Sequence, residues 1–101
     1  NEITALSIGT ATQFNLVSSS ATITDMNKIA LKYKANDCAL WINGVEVATD
    51  STFTAYPIGV LTVLGFINST GTGQFLQAKL QEFMLFPTAL TDTELATLTT
   101  L

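Results

Sequence analysis

The stretch KIALKYKANDCALWINGVEVATD, residues 28–50, decides the fold. Its first seven residues alternate strictly, with Ile29, Leu31 and Tyr33 on one side and Lys28, Lys32 and Lys34 on the other. Successive side chains of an extended strand point to opposite faces, so this is the period of a half-buried β-strand. Two turn signals follow, Asn36-Asp37 and Asn43-Gly44. Asn-Gly is the strongest short hairpin signal, because both residues tolerate the positive φ that a type I′ turn needs. Centring a two-residue turn on Asn36-Asp37 pairs Ala35 with Cys38, Tyr33 with Leu40 and Leu31 with Ile42. Centring one on Asn43-Gly44 pairs Ile42 with Val45, Leu40 with Val47 and Trp41 with Glu46. The apolar partners of both hairpins then share one face, which fixes the register. The expectation is a three-stranded antiparallel meander. Trp41, the only tryptophan in the chain, projects from the opposite face in a row with Lys32 and Glu46. Lys32 over the indole, or paired with Glu46 across the sheet, would contribute about 0.5–1 kcal/mol per contact.

Outward from this meander, strand signals dominate. EITALSIG (residues 2–9) and TQFNLV (residues 12–17) are short β-prone runs, and SSSATITD (residues 18–25) reads as a loop, or a loop around a weak strand. DSTFTAYPIG (residues 50–59) is a second loop, carrying Tyr56 and Pro57. VLTVLGFI (residues 60–67) is apolar in both phases, the pattern of a central strand covered on both faces. NSTGTGQ (residues 68–74) is a Gly-rich turn. FLQAKLQEFMLF (residues 75–86) reads as the last strand. Its phase slips between Leu76, Ala78, Leu80 and Phe83, Leu85, so a bulge near Gln81-Glu82 is expected to return both sets to the core. Thr91 and Glu94 form a capping box, and Leu90 with Leu95 a hydrophobic staple, which predicts a short helix over residues 92–98. Leu95 and Leu98 would share its buried face.

Composition narrows the function. The chain has 101 residues, enough for one domain or part of one, with a sizeable core. Charged residues are only 12%, about half the usual share. Such a surface suits a domain that lives against neighbours in an oligomer or larger assembly. The net charge is −4 and all four cations are lysines. Without clustered basic residues, nucleic-acid binding is not expected. No apolar run is long enough for a helical membrane span. With no histidine and one cysteine, neither a common zinc site nor a histidine-based catalytic triad can be built. Cys38 shares the phase of Leu40 and reads as a buried, inert thiol. The acids are scattered rather than closely alternating, so a hydrolytic acid pair is not expected. A calcium site using Asp50 and the adjacent Ser51 and Thr52 is a weaker alternative to solvated loop acids.

Taken together, Lys34, Asn36, Asp37, Asn43, Gly44, the strand Leu64-Gly65-Phe66, Phe86 and the segment from Leu90 to Leu95 resemble the C-terminal half of concanavalin A-like, laminin-G-like jelly rolls. The closing FPTALTDTELATLTTL is similar to the ends of phage tail-fibre and head-fibre proteins. The resemblance covers residues 27–101 and rests on turns, core positions and a helix cap, none of them catalytic. It implies an all-β fold, an antiparallel β-sandwich of concanavalin A-like jelly-roll type, complete or partial, with a short C-terminal helix. The chain is shorter than a complete roll of this type. The missing strands would lie on an absent segment or be replaced by a neighbouring subunit. The function implied is that of a non-enzymatic virion domain, in a tail fibre, head fibre or decoration protein. It would assemble with other virion subunits as a homo-oligomer and bind host-surface glycans. The alternative is a carbohydrate-binding module of a secreted bacterial protein or glycoside hydrolase. Sugar sites often use an aromatic platform, which makes Trp41 and Tyr56, with Lys32 and Glu46 nearby, the candidate ligand-binding residues. The competing reading has Trp41 covered by a second sheet face, a loop or a neighbouring subunit. No catalytic residue, metal ligand or cofactor is expected, and the location is extracellular or on the virion surface.

Overall fold

The computed structural model describes residues 3–8, 12–18, 25–52 and 79–101. Five strands and one helix occur among them: β1 (Ile3–Ile8), β2 (Thr12–Ser18), β3 (Ile29–Lys32), β4 (Cys38–Ile42), β5 (Val45–Asp50) and α1 (Asp92–Thr99). β1 and β2 form an antiparallel pair, and β3, β4 and β5 form an antiparallel meander with β4 in the centre. The expected strand over residues 60–67, the Gly-rich turn after it and most of the loop over residues 50–59 lie outside the described residues.

The Asn43-Gly44 turn forms as its sequence requires. Both residues have positive φ, 52° and 86°, and Ile42 pairs with Val45 and Trp41 with Glu46. One step further the register slips, and Leu40 lies opposite Ala48 rather than Val47. This bulge lets Val47 and Ala48 both pack on the core.

The β3–β4 hairpin differs from expectation by two residues. Leu31 pairs with Leu40 and Ile29 with Ile42, not Tyr33 with Leu40, Leu31 with Ile42 and Ala35 with Cys38. The turn runs from Lys34 to Asp37, closed by the Asp37 N–H donating to the Lys34 carbonyl at 3.0 Å. Only Asn36 takes a positive φ, 58°, so Ala35 and Asn36 are its corners and Asp37 is released for another use. A slip of two keeps every side chain on its own face. It also replaces the row Lys32, Trp41, Glu46: Ala30 now lies opposite Trp41, and Lys32 opposite Ala39.

Every residue of β4 is buried, because the strand is covered on both sides. Cys38, Leu40 and Ile42 meet Leu16 of β2, with Ile3, Val47 and Ala48 at the margin. This is the core between the two sheets. On the other side Ala39 and Trp41 meet Leu95 of α1, with Ala30, Leu90 and Ala96 around them. The described elements therefore form three layers: the β1–β2 pair, the meander and the helix. Full burial of a leucine such as Leu16 or Leu40 contributes about 1.5–3 kcal/mol.

Of the last strand, expected over residues 75–86, residues 75–78 lie outside the described ones, and over residues 79–86 no strand forms and no bulge occurs at Gln81-Glu82. Leu80, Phe83, Met84, Leu85 and Phe86 are 45–76% exposed. With apolar residues in both phases, the segment has no single face to bury. The helix follows as its cap dictates. The Thr91 hydroxyl accepts from the Glu94 N–H at 3.3 Å, and the Glu94 carboxylate accepts from the Thr91 N–H at 3.3 Å. Asp92 and Glu94 in the first turn oppose the positive end of the helix dipole. Leu90 and Leu95 pack in one cluster, the staple expected between them.

Candidate functional site

The face of β4 opposite the intersheet core carries the chain's most distinctive side chains. Strand alternation sends Trp41 away from Leu40 and Ile42, and α1 then lies over it. Trp41 is only 8% exposed, and its Nε1–H has no hydrogen-bond partner among the described residues. The cover is the chain's own helix, an occupant that sequence reasoning did not place there. The staple and cap gave the helix, but nothing local told which surface it would meet.

Lys32 shares this face and is 8% exposed. Its Nζ lies 2.7 Å from Asp37 Oδ1 and 3.1 Å from Asp92 Oδ1. The lysine thus joins the β3–β4 turn to the first residue of α1. The Asp37 hydrogen bond is the main influence raising the Lys32 pKa above its ordinary value; burial opposes it and Asp92 adds to it. The expected pairing of Lys32 with Glu46 is replaced by these two aspartates. Both are more than half exposed, so each pair contributes only about 0–1 kcal/mol. Their effect is to fix position. Glu46 is exposed opposite Trp41. Tyr56, the fourth candidate, lies outside the described residues.

At its far end α1 meets the Asn43-Gly44 turn. The Gly44 N–H donates to Thr99 Oγ1 at 3.0 Å, and Lys28 Nζ donates to the Thr100 carbonyl at 2.9 Å. A Cβ on Gly44 would sit 3.1 Å from Thr100 Oγ1, so glycine serves both the left-handed backbone and the close approach. The Asn43 side chain braces the turn from the other side: its Oδ1 accepts from the Lys28 N–H at 2.9 Å and its Nδ2 donates to Asn27 Oδ1 at 3.0 Å.

No group of three His, Cys, Asp or Glu side chains suited to a metal ion occurs among the described residues. Asp50 Oδ1 accepts from the N–H and hydroxyl of Thr52, both at 2.7 Å. Cys38 is buried, and that burial pushes its thiol above the ordinary 9.0. A thiol held protonated is a poor nucleophile.

Residues 1–96 match the family described as the Concanavalin A-like lectin/glucanases superfamily, and the chain belongs to it. The match takes in β1 and β2, which lie outside the stretch that carried the resemblance. The fold is also similar to a crystal structure of an S-layer domain-containing protein (residues 221–444) from Clostridium thermocellum. The TM-score is 0.63 at 22% identity, over 96% of this chain and 51% of that one. The chain thus spans about half the length of that structure. A comparison with curated proteins gives no match.

Proposed function

We propose that this domain is a non-enzymatic structural and adhesive module of an extracellular assembly, joined there to further copies of itself. The observation that carries the reading is the set of large apolar side chains turned to solvent. Leu80, Phe83, Met84, Leu85 and Phe86 stand on one segment, and Ile29, Leu31 and Tyr33 on and beside β3. A chain with only 12% charged residues has little else to keep such surface apart, and exposed apolar patches of this kind mark association sites. The likeness of its closing residues to phage tail- and head-fibre ends supports a virion fibre or decoration protein as the setting. Sedimentation velocity across the micromolar range tests the association. An oligomer that dissociates on Phe83→Ser with Leu85→Ser supports it. A monomer at every concentration overturns it.

A second reading, glycan recognition, is favoured by membership of a lectin and glucanase superfamily; because α1 covers Trp41, a sugar reaches that ring only when the helix leaves it. The single tryptophan reports on it directly. A saturable change in its emission with a panel of oligosaccharides supports a site at Trp41. A flat titration removes that site.

A further inference from the structure

We propose that α1 is exchanged between copies: in the assembled state the helix of one copy seats on the Trp41 face of the next. This inference rests on the assembly reading and names the contact that would achieve it. Three observations lead to it. First, the seat and the helix are far apart in sequence, so each contact forms equally well between chains. Lys32 meets Asp92, Gly44 meets Thr99, Lys28 meets Thr100, and Trp41 meets Leu95. Second, residues 79–91 before the helix form neither strand nor helix. Fully extended, those thirteen residues reach about 43 Å, beyond the longest dimension of the molecule, 35 Å. Third, that connection carries the exposed Leu80, Phe83, Met84, Leu85 and Phe86. Docked within its own chain, α1 leaves these side chains in water. Docked on a neighbour, it draws the connection across the gap between copies, where they find cover. An eight-residue helix has little stability by itself, so it needs a seat but not necessarily its own. Exchange of an identical element is a low-cost route to association.

Charge reversal tests this, because it marks seat and helix separately. Lys32→Glu spoils the seat and leaves the helix intact; Asp92→Lys spoils the helix and leaves the seat. Each variant alone is expected to self-associate about tenfold more weakly than wild type. Mixed in equal amounts after brief partial unfolding, they form pairs in which each helix meets a charge-matched seat. Association is then expected to return to near the wild-type level. A mixture that behaves as the average of its two components, while wild type is oligomeric, overturns exchange and leaves the assembly reading standing. A wild-type chain that is monomeric at every concentration overturns both. Should either variant fail to fold, Lys28→Cys and Thr100→Cys, carried on separate copies, answer in its place, because those two residues meet only where helix and seat do. A disulfide between the two copies in the oligomer supports exchange, and its absence overturns it.

Discussion

Trp41 lies with its ring against Leu95, and its Nε1–H meets no acceptor among the described residues. The two facts pull stability in opposite directions. A buried tryptophan removes about 150–250 Å² from water, whereas an unpaired buried N–H costs about 1–3 kcal/mol. Trp41→Phe deletes the N–H and part of the ring, and the two changes largely offset. The expected loss is under about 1.5 kcal/mol, against about 3–5 kcal/mol for Trp41→Ala. Urea midpoints of the three chains check this order. If phenylalanine proves as damaging as alanine, the N–H has an acceptor after all. Lys32 shows where strand alternation stops informing. Its phase correctly sets it on the face of Trp41, yet it is buried where an edge-strand lysine reads as solvated. Alternation tells which face a side chain occupies, not what arrives to cover that face.

α1 carries its own instructions within the short run from Leu90 to Leu95, capping box and staple together, and so was legible in sequence. Removing the cap hydroxyl by Thr91→Ala is expected to cost about 1 kcal/mol and to let the first turn fray. Because the helix covers the only tryptophan, fraying should redden its emission before the sheets unfold, while Thr91→Ser should leave emission and melting temperature near wild type. A loss of stability with unchanged emission would mean that the cap does not hold the helix over Trp41. The Asn43-Gly44 turn was legible for the same local reason. The β3–β4 register was not, because Asn36 serves as readily at the second corner of a turn starting at Lys34 as at the first corner of one centred on Asn36-Asp37. Its two-residue error kept the faces right and the partners wrong. The segment over residues 79–86 misled more deeply. Its apolar residues fall in both phases, so a strand pattern could be fitted only by inserting a bulge that the chain does not make.

At the scale of the molecule, stability is tied to alkaline pH. Cys38 and Lys32 both have folded-state pKa values above the ordinary 9.0 and 10.5. For each, the fold favours the protonated form, so its contribution is complete below the ordinary value and is lost as pH rises through the folded one. Melting temperature is therefore expected to fall from about pH 9 upward. Cys38→Ala should delay the decline until lysine begins to titrate, and Lys32→Met should remove the later part. A profile identical in wild type and Cys38→Ala would place the sensitivity elsewhere. The candidate site was legible in outline only: alternation set Trp41, Lys32 and Glu46 on one face, but the Lys32–Asp92 contact that helps close that face joins residues 60 positions apart.

The central strand, covered by the paired strands on one side and the helix on the other, has a kinetic consequence. Solvent reaches the backbone amides of Cys38 to Ile42 only when a flanking layer and a neighbouring strand have both come away. In deuterium oxide those protons should persist longest, their protection approaching that of global unfolding. Should they be replaced as quickly as those of the peripheral β3, the helix spends much of its time elsewhere.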